Sequence, residues 1–137
     1  MLATLTSPIE PATDLVSALV LFFALSIGHA FADFPLQGDF LSPGKNRNVT
    51  PPKLADGKTS PKHLWVYLMS AHCLIHAGFV WLITGSPLLG FLEFVAHFII
   101  DVMKCENRTS FAVDQWLHLL SKAIWVGLLW AGLVTGL

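Results

Sequence analysis

The stretch EFVAHFIIDVMK, residues 93–104, reads as two sequences laid over one another. Phe94, Val95, Phe98, Ile99, Ile100 and Val102 belong in hydrocarbon, whereas Glu93, His97, Asp101 and Lys104 are among the costliest side chains to place there. The polar four recur every three or four positions, so a helix gathers them on one face and leaves the remainder apolar. Such a helix needs lipid on one side and polar partners on the other.

The whole chain fits that demand. Of its 137 residues, 54% are hydrophobic and only 12% charged, with a mean hydropathy of +0.64. A soluble fold of this length leaves too much chain at its surface to hide so much apolar matter. The implied class is an all-α membrane protein, and four helices of a soluble bundle are a poor alternative because the residues after Lys122 carry no charge. A net charge of −1 without a run of like charges gives no basis for binding nucleic acid. Cys73 and Cys105 stand apart from any CxxC pair and read as free thiols. The apolar run 15–27 before Ala30-Phe31-Ala32 imitates a cleavable secretory signal. No Lys or Arg precedes Lys45, however, and Glu10 and Asp14 have the wrong sign, so the run is expected to stay as a membrane helix.

Four segments are long and apolar enough, at about 1.5 Å per residue, to cross a hydrocarbon core of about 30 Å. They are predicted at about 14–34, 61–84, 87–104 and 111–136 of a single transmembrane domain, 1–137. Pro35 stops the first. Ser60-Pro61 and Ser86-Pro87 pair a capping residue with proline at the first helical position, and Ser110 can cap the last helix. Residues 38–60, rich in Pro, Gly and Lys, read as a loop. Lys45, Arg47, Lys53 and Lys58 in it, with Lys62, Lys104 and Arg108 at the same level, place that side in the cytosol by the positive-inside rule. The expected architecture is a four-helix transmembrane bundle in a bacterial inner membrane, with both termini outside.

Every predicted helix carries ionisable residues four apart: His29 and Asp33; His72 and His76; Glu93, His97 and Asp101; Asp114, His118 and Lys122. That spacing puts both members of a pair on one helical face, one turn apart, as in the HExxH zinc motif. All four pairs fall in the cytosolic half, with His76 expected deepest and furthest from a shared ion. His29, Asp33, His72, His97, Asp101, Asp114 and His118 are therefore candidate metal ligands. A cation would offset carboxylate charge that lipid otherwise refuses. Imidazole with carboxylate suits Zn, Mn or Fe, as one or two ions, better than Ca or Mg. Glu93 and Lys122 are candidates for catalytic roles, Lys122 pairing with a carboxylate such as Glu93. Gln37 and Gln115 adjoin ligand positions and can orient them. Lys104 is expected to snorkel to lipid phosphate. Trp65, Trp81, Trp116, Trp125 and Trp130 suit the membrane interface. Gly132 and Gly136 form a GxxxG that offers a close helix contact or a homo-oligomer face.

The motifs ADFPLQ after His29, the isolated His72, HFIIDVMK and DQWLH resemble, in that order, those of a family of small bacterial and phage-encoded membrane proteins of unknown function. The resemblance covers about residues 28–122 and implies a helical inner-membrane protein without assigning a reaction. More loosely, the chain is similar to membrane-bound metal-dependent hydrolases, which also hold His and Asp on short helical bundles.

Function therefore reads first as metal-assisted hydrolysis of a lipid-borne or amphiphilic substrate at the cytosolic leaflet, with an activated water and Asp or Glu as base. The alternatives are a proton or metal-ion carrier or channel, and a small structural or interaction protein of the envelope. A pathway needs polar groups through to the far side, yet residues 15–25 and 123–137 are almost wholly apolar. Nucleophile elbows, P-loops and dinucleotide fingerprints are missing.

Overall fold

A computed structural model describes residues 12–135. Five helices follow one another: α1 (Leu15–Asp33), α2 (Gly38–Gly44), α3 (Leu64–Thr84), α4 (Pro87–Cys105) and α5 (Phe111–Trp130), with no strand among the described residues.

Local chemistry sets most of the ends. Asp14 caps α1 reciprocally: its carboxylate accepts the Ser17 amide at 2.8 Å, and Ser17 Oγ accepts the Asp14 amide at 3.0 Å. Ser86 Oγ accepts the Leu89 amide at 3.3 Å, with Pro87 opening α4, and Ser110 does the same for Val113 on α5. Gly85 ends α3 at φ 70°, a left-handed turn that lets α4 fold straight back.

Three boundaries depart from the sequence reading. Helix α3 begins at Leu64 rather than 61, because the Ser60 hydroxyl donates to the Pro52 carbonyl oxygen and closes the loop on itself instead of capping a helix. Helix α5 stops at Trp130: Gly132, at φ 66°, reverses the chain, and its amide and that of Leu133 close on Leu129 and Leu128, each at 3.0 Å. Gly132 thus lies past the helix and offers no helix-packing face, while Gly136 falls outside the described residues. The third is α2, seven residues within the expected loop and too short to show a hydrophobic period.

The four long helices form a ring in the order α1, α3, α4, α5, with α2 laid on α3. Across the ring the backbones stay apart, and imidazoles bridge both diagonals, His29 to His97 and His76 to His118. α4 comes close to α3 at Gly90, where a Cβ would lie 3.0 Å from the Ala77 carbonyl oxygen and 3.0 Å from Trp81 Cβ.

Polarity is distributed inside out. On α5 the charged Lys122 is 1% exposed while Trp116 is 71% exposed. On α1, Val16, Leu19, Phe23 and Ile27 face outward, and His29 and Asp33 are buried. One end of the interior is apolar, built from Ala18, Leu21, Leu25, Val80, Leu89, Trp125 and Val126. Two helices, Leu15–Asp33 and Leu64–Thr84, are long and apolar enough to cross a membrane, not the four expected. α4 and α5 fall short because they carry Glu93, Asp101, Lys104, Asp114 and Lys122. Most of that charge is turned inward, and the outward residues Phe91, Val95 and Ile99 on α4, with Leu120 and Ile124 on α5, are apolar.

Candidate metal centre

Reading each helix away from the apolar end gives a layered interior. First comes Glu93, fully buried with Lys122: Lys122 Nζ donates to Glu93 Oε1 at 2.5 Å, and Trp125 Nε1 donates to Glu93 Oε2 at 2.7 Å. One turn on lies a stack of imidazoles. His76 and His97 stack with ring centroids 3.7 Å apart, His97 and His118 at 4.0 Å, and His29 sits 5.0 Å from His118. The next turn holds His72 with Asp33, Asp101 and Asp114. All of these side chains are at most 8% exposed.

The spacing between donor atoms is that of ligands sharing an ion. Tetrahedral ligands about 2.1 Å from a metal lie about 3.4 Å from one another. Here His72 Nε2 is 3.1 Å from His97 Nε2, 3.2 Å from Asp33 Oδ1 and 3.4 Å from Asp101 Oδ2. His76 Nε2 lies 3.3 Å from Asp33 Oδ1, and His118 Nε2 lies 3.4 Å from Asp101 Oδ1 and 3.6 Å from Asp114 Oδ1. Despite that proximity, His76 Nε2, His118 Nε2 and Asp114 Oδ1 are buried without a hydrogen bond. Buried polar atoms seldom stay unpaired, and two cations, one at His76 and one at His118 and Asp114, would satisfy them.

Two sets of residues could each hold an ion without sharing a member: Asp33, His72, His76 and His97; and Asp101, Asp114 and His118. His29 groups with His97 and His118 between them. The donors are imidazole nitrogen and carboxylate oxygen, which fits Zn, Mn or Fe. Around them, His97 Nδ1 lies 3.3 Å from Glu93 Oε1, the carboxylate–histidine contact that turns Nε2 toward a metal. Gln115 Nε2 donates to Asp33 Oδ2 at 2.9 Å and to Asp114 Oδ2 at 3.1 Å, while its Oε1 approaches His29 Nε2 at 3.4 Å.

The structure thus brings all seven sequence-selected ligand candidates to one end of the bundle. It adds His76, which was expected too deep: one turn from His72 on the same face, its ring stacks on His97 and reaches the same Asp33 oxygen. Glu93, singled out for catalysis, has Oε1 engaged by Lys122 and 3.3 Å from His97 Nδ1, and Oε2 engaged by Trp125. Lys104, expected to snorkel, places its Nζ 3.3 Å from Asp114 Oδ2, because the C-terminal end of α4 abuts the start of α5. Trp125 is no interface anchor but a buried partner of Glu93. Its position, three residues past Lys122 and seven past His118, continues the polar face of α5 and was a usable signal. Gln37 donates only to the Asp33 carbonyl oxygen. Cys73 and Cys105 are free, Cys73 buried.

One participant had no signal in the sequence. Lys45, at the end of α2, is 7% exposed and places Nζ 2.5 Å from Asp101 Oδ2. The loop around it is fastened to α4: Arg47 Nε donates to Glu106 Oε1 at 2.7 Å, and Asn48 Nδ2 donates to the Cys105 carbonyl oxygen at 2.9 Å. Asn48 Nδ2 also donates to Glu106 Oε1 at 3.1 Å, and the hydrogen bonds from Arg47 and Asn48 to that carboxyl hold it below its ordinary pKa, while Glu106 raises that of Arg47.

No curated protein and no solved structure matches the chain. A family profile does match residues 21–133, and with them every residue of the centre. The chain therefore belongs to the family described as "Protein of unknown function (DUF3307)".

Proposed function

We propose that this protein is an integral-membrane metalloprotein whose four long helices cross the bilayer and whose buried His–carboxylate centre hydrolyses a lipid-borne or amphiphilic substrate at the cytosolic leaflet. The observation that carries the reading is the convergence of seven ionisable side chains, from every long helix, on donor separations of 3.1–3.6 Å, with unpaired lone pairs among them and His29 alongside. Lipid contact is supported by the apolar outer faces of all four helices.

A divalent ion in such a site lowers the pKa of bound water to about 7 and polarises the scissile bond. The residues of the chain supply the rest. A carboxylate oxygen of Asp33, Asp101 or Asp114 left free of the ion would accept the water proton. The water oxygen would bond to the electrophilic centre of the substrate as the bond to the leaving group breaks, and the same carboxyl would return the proton to the leaving oxygen. Glu93 holds His97, and Gln115 holds Asp33 and Asp114, so the ligands keep their places through the cycle.

A carrier or channel fits less well. The apolar end formed by Leu21, Leu25, Val80, Leu89 and Val126 offers an ion no partner beyond Glu93.

Elemental analysis of protein purified in detergent tests the metal. One to two equivalents of Zn, Mn or Fe, lost in His97→Ala and Asp114→Asn, are expected, together with hydrolysis of ester or phosphoester lipids that disappears in the same variants. A metal-free protein with normal helix content would refute the proposal. Reporter fusions within residues 53–58 and at each terminus test the orientation, the loop being expected in the cytosol and the termini outside.

A further inference from the structure

We infer that Lys45 and Lys104 are the anion-binding groups of this centre and that its substrate carries a phosphoryl group, as a phosphate monoester or a monoester headgroup. The inference rests on the metal-centre reading above and specifies what that centre takes.

The first observation is placement. Lys53, Lys58 and Lys62 of the same polar connection are exposed, as its chemistry requires, but Lys45 is buried. Burying an ammonium group is unfavourable unless it is paired, and here a built segment accomplishes it. The Lys45 amide bonds to the Leu41 carbonyl oxygen at 2.9 Å, closing α2, and Arg47 and Asn48 pin the chain to the end of α4. Lys45 Nζ is delivered to Asp101, and from the other side Lys104 Nζ reaches Asp114.

The second observation is that Asp101 and Asp114 belong to one candidate ligand set, with His118. Both lysines thus lean on carboxylates that a divalent ion would claim. Among the charged groups of the centre, four carboxylates, Asp33, Glu93, Asp101 and Asp114, face three lysines, Lys45, Lys104 and Lys122. Glu93 and Lys122 neutralise each other nearer the apolar end. Once one or two divalent ions share Asp33, Asp101 and Asp114, the far layer of the centre carries excess positive charge, and the ammonium groups of Lys45 and Lys104 are left with their former partners engaged. A carboxylate ligand brings one charge and two oxygens. A phosphoryl dianion brings two charges and three oxygens, enough to meet an ion and both lysines together. Two-ion sites of this donor type are those that clamp a phosphorus centre for attack by water.

The test uses full-length protein in detergent, loaded with the metal found by elemental analysis and titrated calorimetrically with inorganic phosphate. Lys45→Met is expected to weaken phosphate at least about tenfold while tightening the metal, since a competing cation has gone; no purely structural role moves the two in opposite directions. Lys45→Arg, which keeps the charge, should hold phosphate within about threefold, and Lys62→Met should change neither. Should Lys45→Met not fold, Lys104→Met, at a partly exposed position, carries the same expectation. Short-chain phosphatidic acid identifies the source: affinity at least about tenfold above phosphate indicates a lipid headgroup, equal affinity a soluble phosphate, and both support the phosphoryl assignment. Metal uptake without phosphate binding, or with binding indifferent to both lysine variants, overturns this inference alone. A wild-type protein that takes up no metal overturns the metal-centre reading as well.

Discussion

The Nε2 atoms of His72 and His97 face each other at 3.1 Å across the α3–α4 interface. With His97 Nδ1 directed at Glu93, the lone pair of His97 points to His72, whose own Nε2 also approaches Asp33 and Asp101. An ion held by His72, His97 and Asp33 would satisfy their facing atoms at once. Titrating metal-stripped protein with Zn²⁺, Mn²⁺ or Fe²⁺ is therefore expected to raise its Tm, with about 2.7 kcal/mol of stabilisation at a hundredfold excess over Kd. Calorimetry in detergent measures this, and His72→Ala should remove most of the response; an unchanged Tm across the titration counts against the centre.

Glu93 and Lys122 form a fully buried pair. Removing one member strands the other, so Glu93→Gln and Lys122→Met should each lower stability by about 3–5 kcal/mol, whereas Glu93→Leu with Lys122→Met together should recover most of the loss. Denaturation of Glu93→Leu, Lys122→Met and their double closes the cycle and measures the coupling. Glu93→Gln should also weaken metal binding about 10–100-fold through His97; strict additivity of the stability changes would contradict the pairing.

Two glycines in helices should respond with opposite signs to alanine. At Gly127 a Cβ meets nothing within 4 Å, and removing a flexible residue from α5 should stabilise by about 0.5–1 kcal/mol. At Gly90 the same gain is outweighed, because the contact lies against the Ala77 backbone and α4 must shift; about 1–3 kcal/mol of destabilisation is expected. Thermal melts of the two variants, run together, decide it.

Glu106 governs how α2 and the following loop are held. Its pKa is depressed in the folded protein, so its contribution is complete above the ordinary glutamate value and is lost as pH falls through the depressed one. Hydrogen exchange of residues 45–48, corrected for intrinsic rates, should accelerate in that acid window, and Glu106→Gln should exchange fast throughout. Protection independent of pH in the wild type would mean that the loop is held elsewhere.

The parts legible in the sequence were those with a period. Pairs such as Asp114 and His118, four apart on apolar helices, identified both the buried face and the end of the bundle where the faces meet, and Ser86 and Ser110 marked helix starts through their side-chain oxygens. What escaped lacks periodicity. Lys45 looks like any other loop lysine until α2 folds and Arg47 finds Glu106, a contact between residues 59 positions apart. Ser60 carried a valid capping signal that a competing acceptor, the Pro52 carbonyl, took over. Composition alone separates α4 and α5 from the two more apolar helices, since averaging cannot tell an inward Glu93 from an outward one.

The end of the interior closed by Leu21, Leu25, Val80, Leu89 and Val126 is lined by aliphatic side chains that offer a proton or ion no foothold. Under the proposed function, water, protons and soluble products would therefore enter and leave through the opposite face alone, and turnover would be indifferent to membrane voltage and to ion gradients.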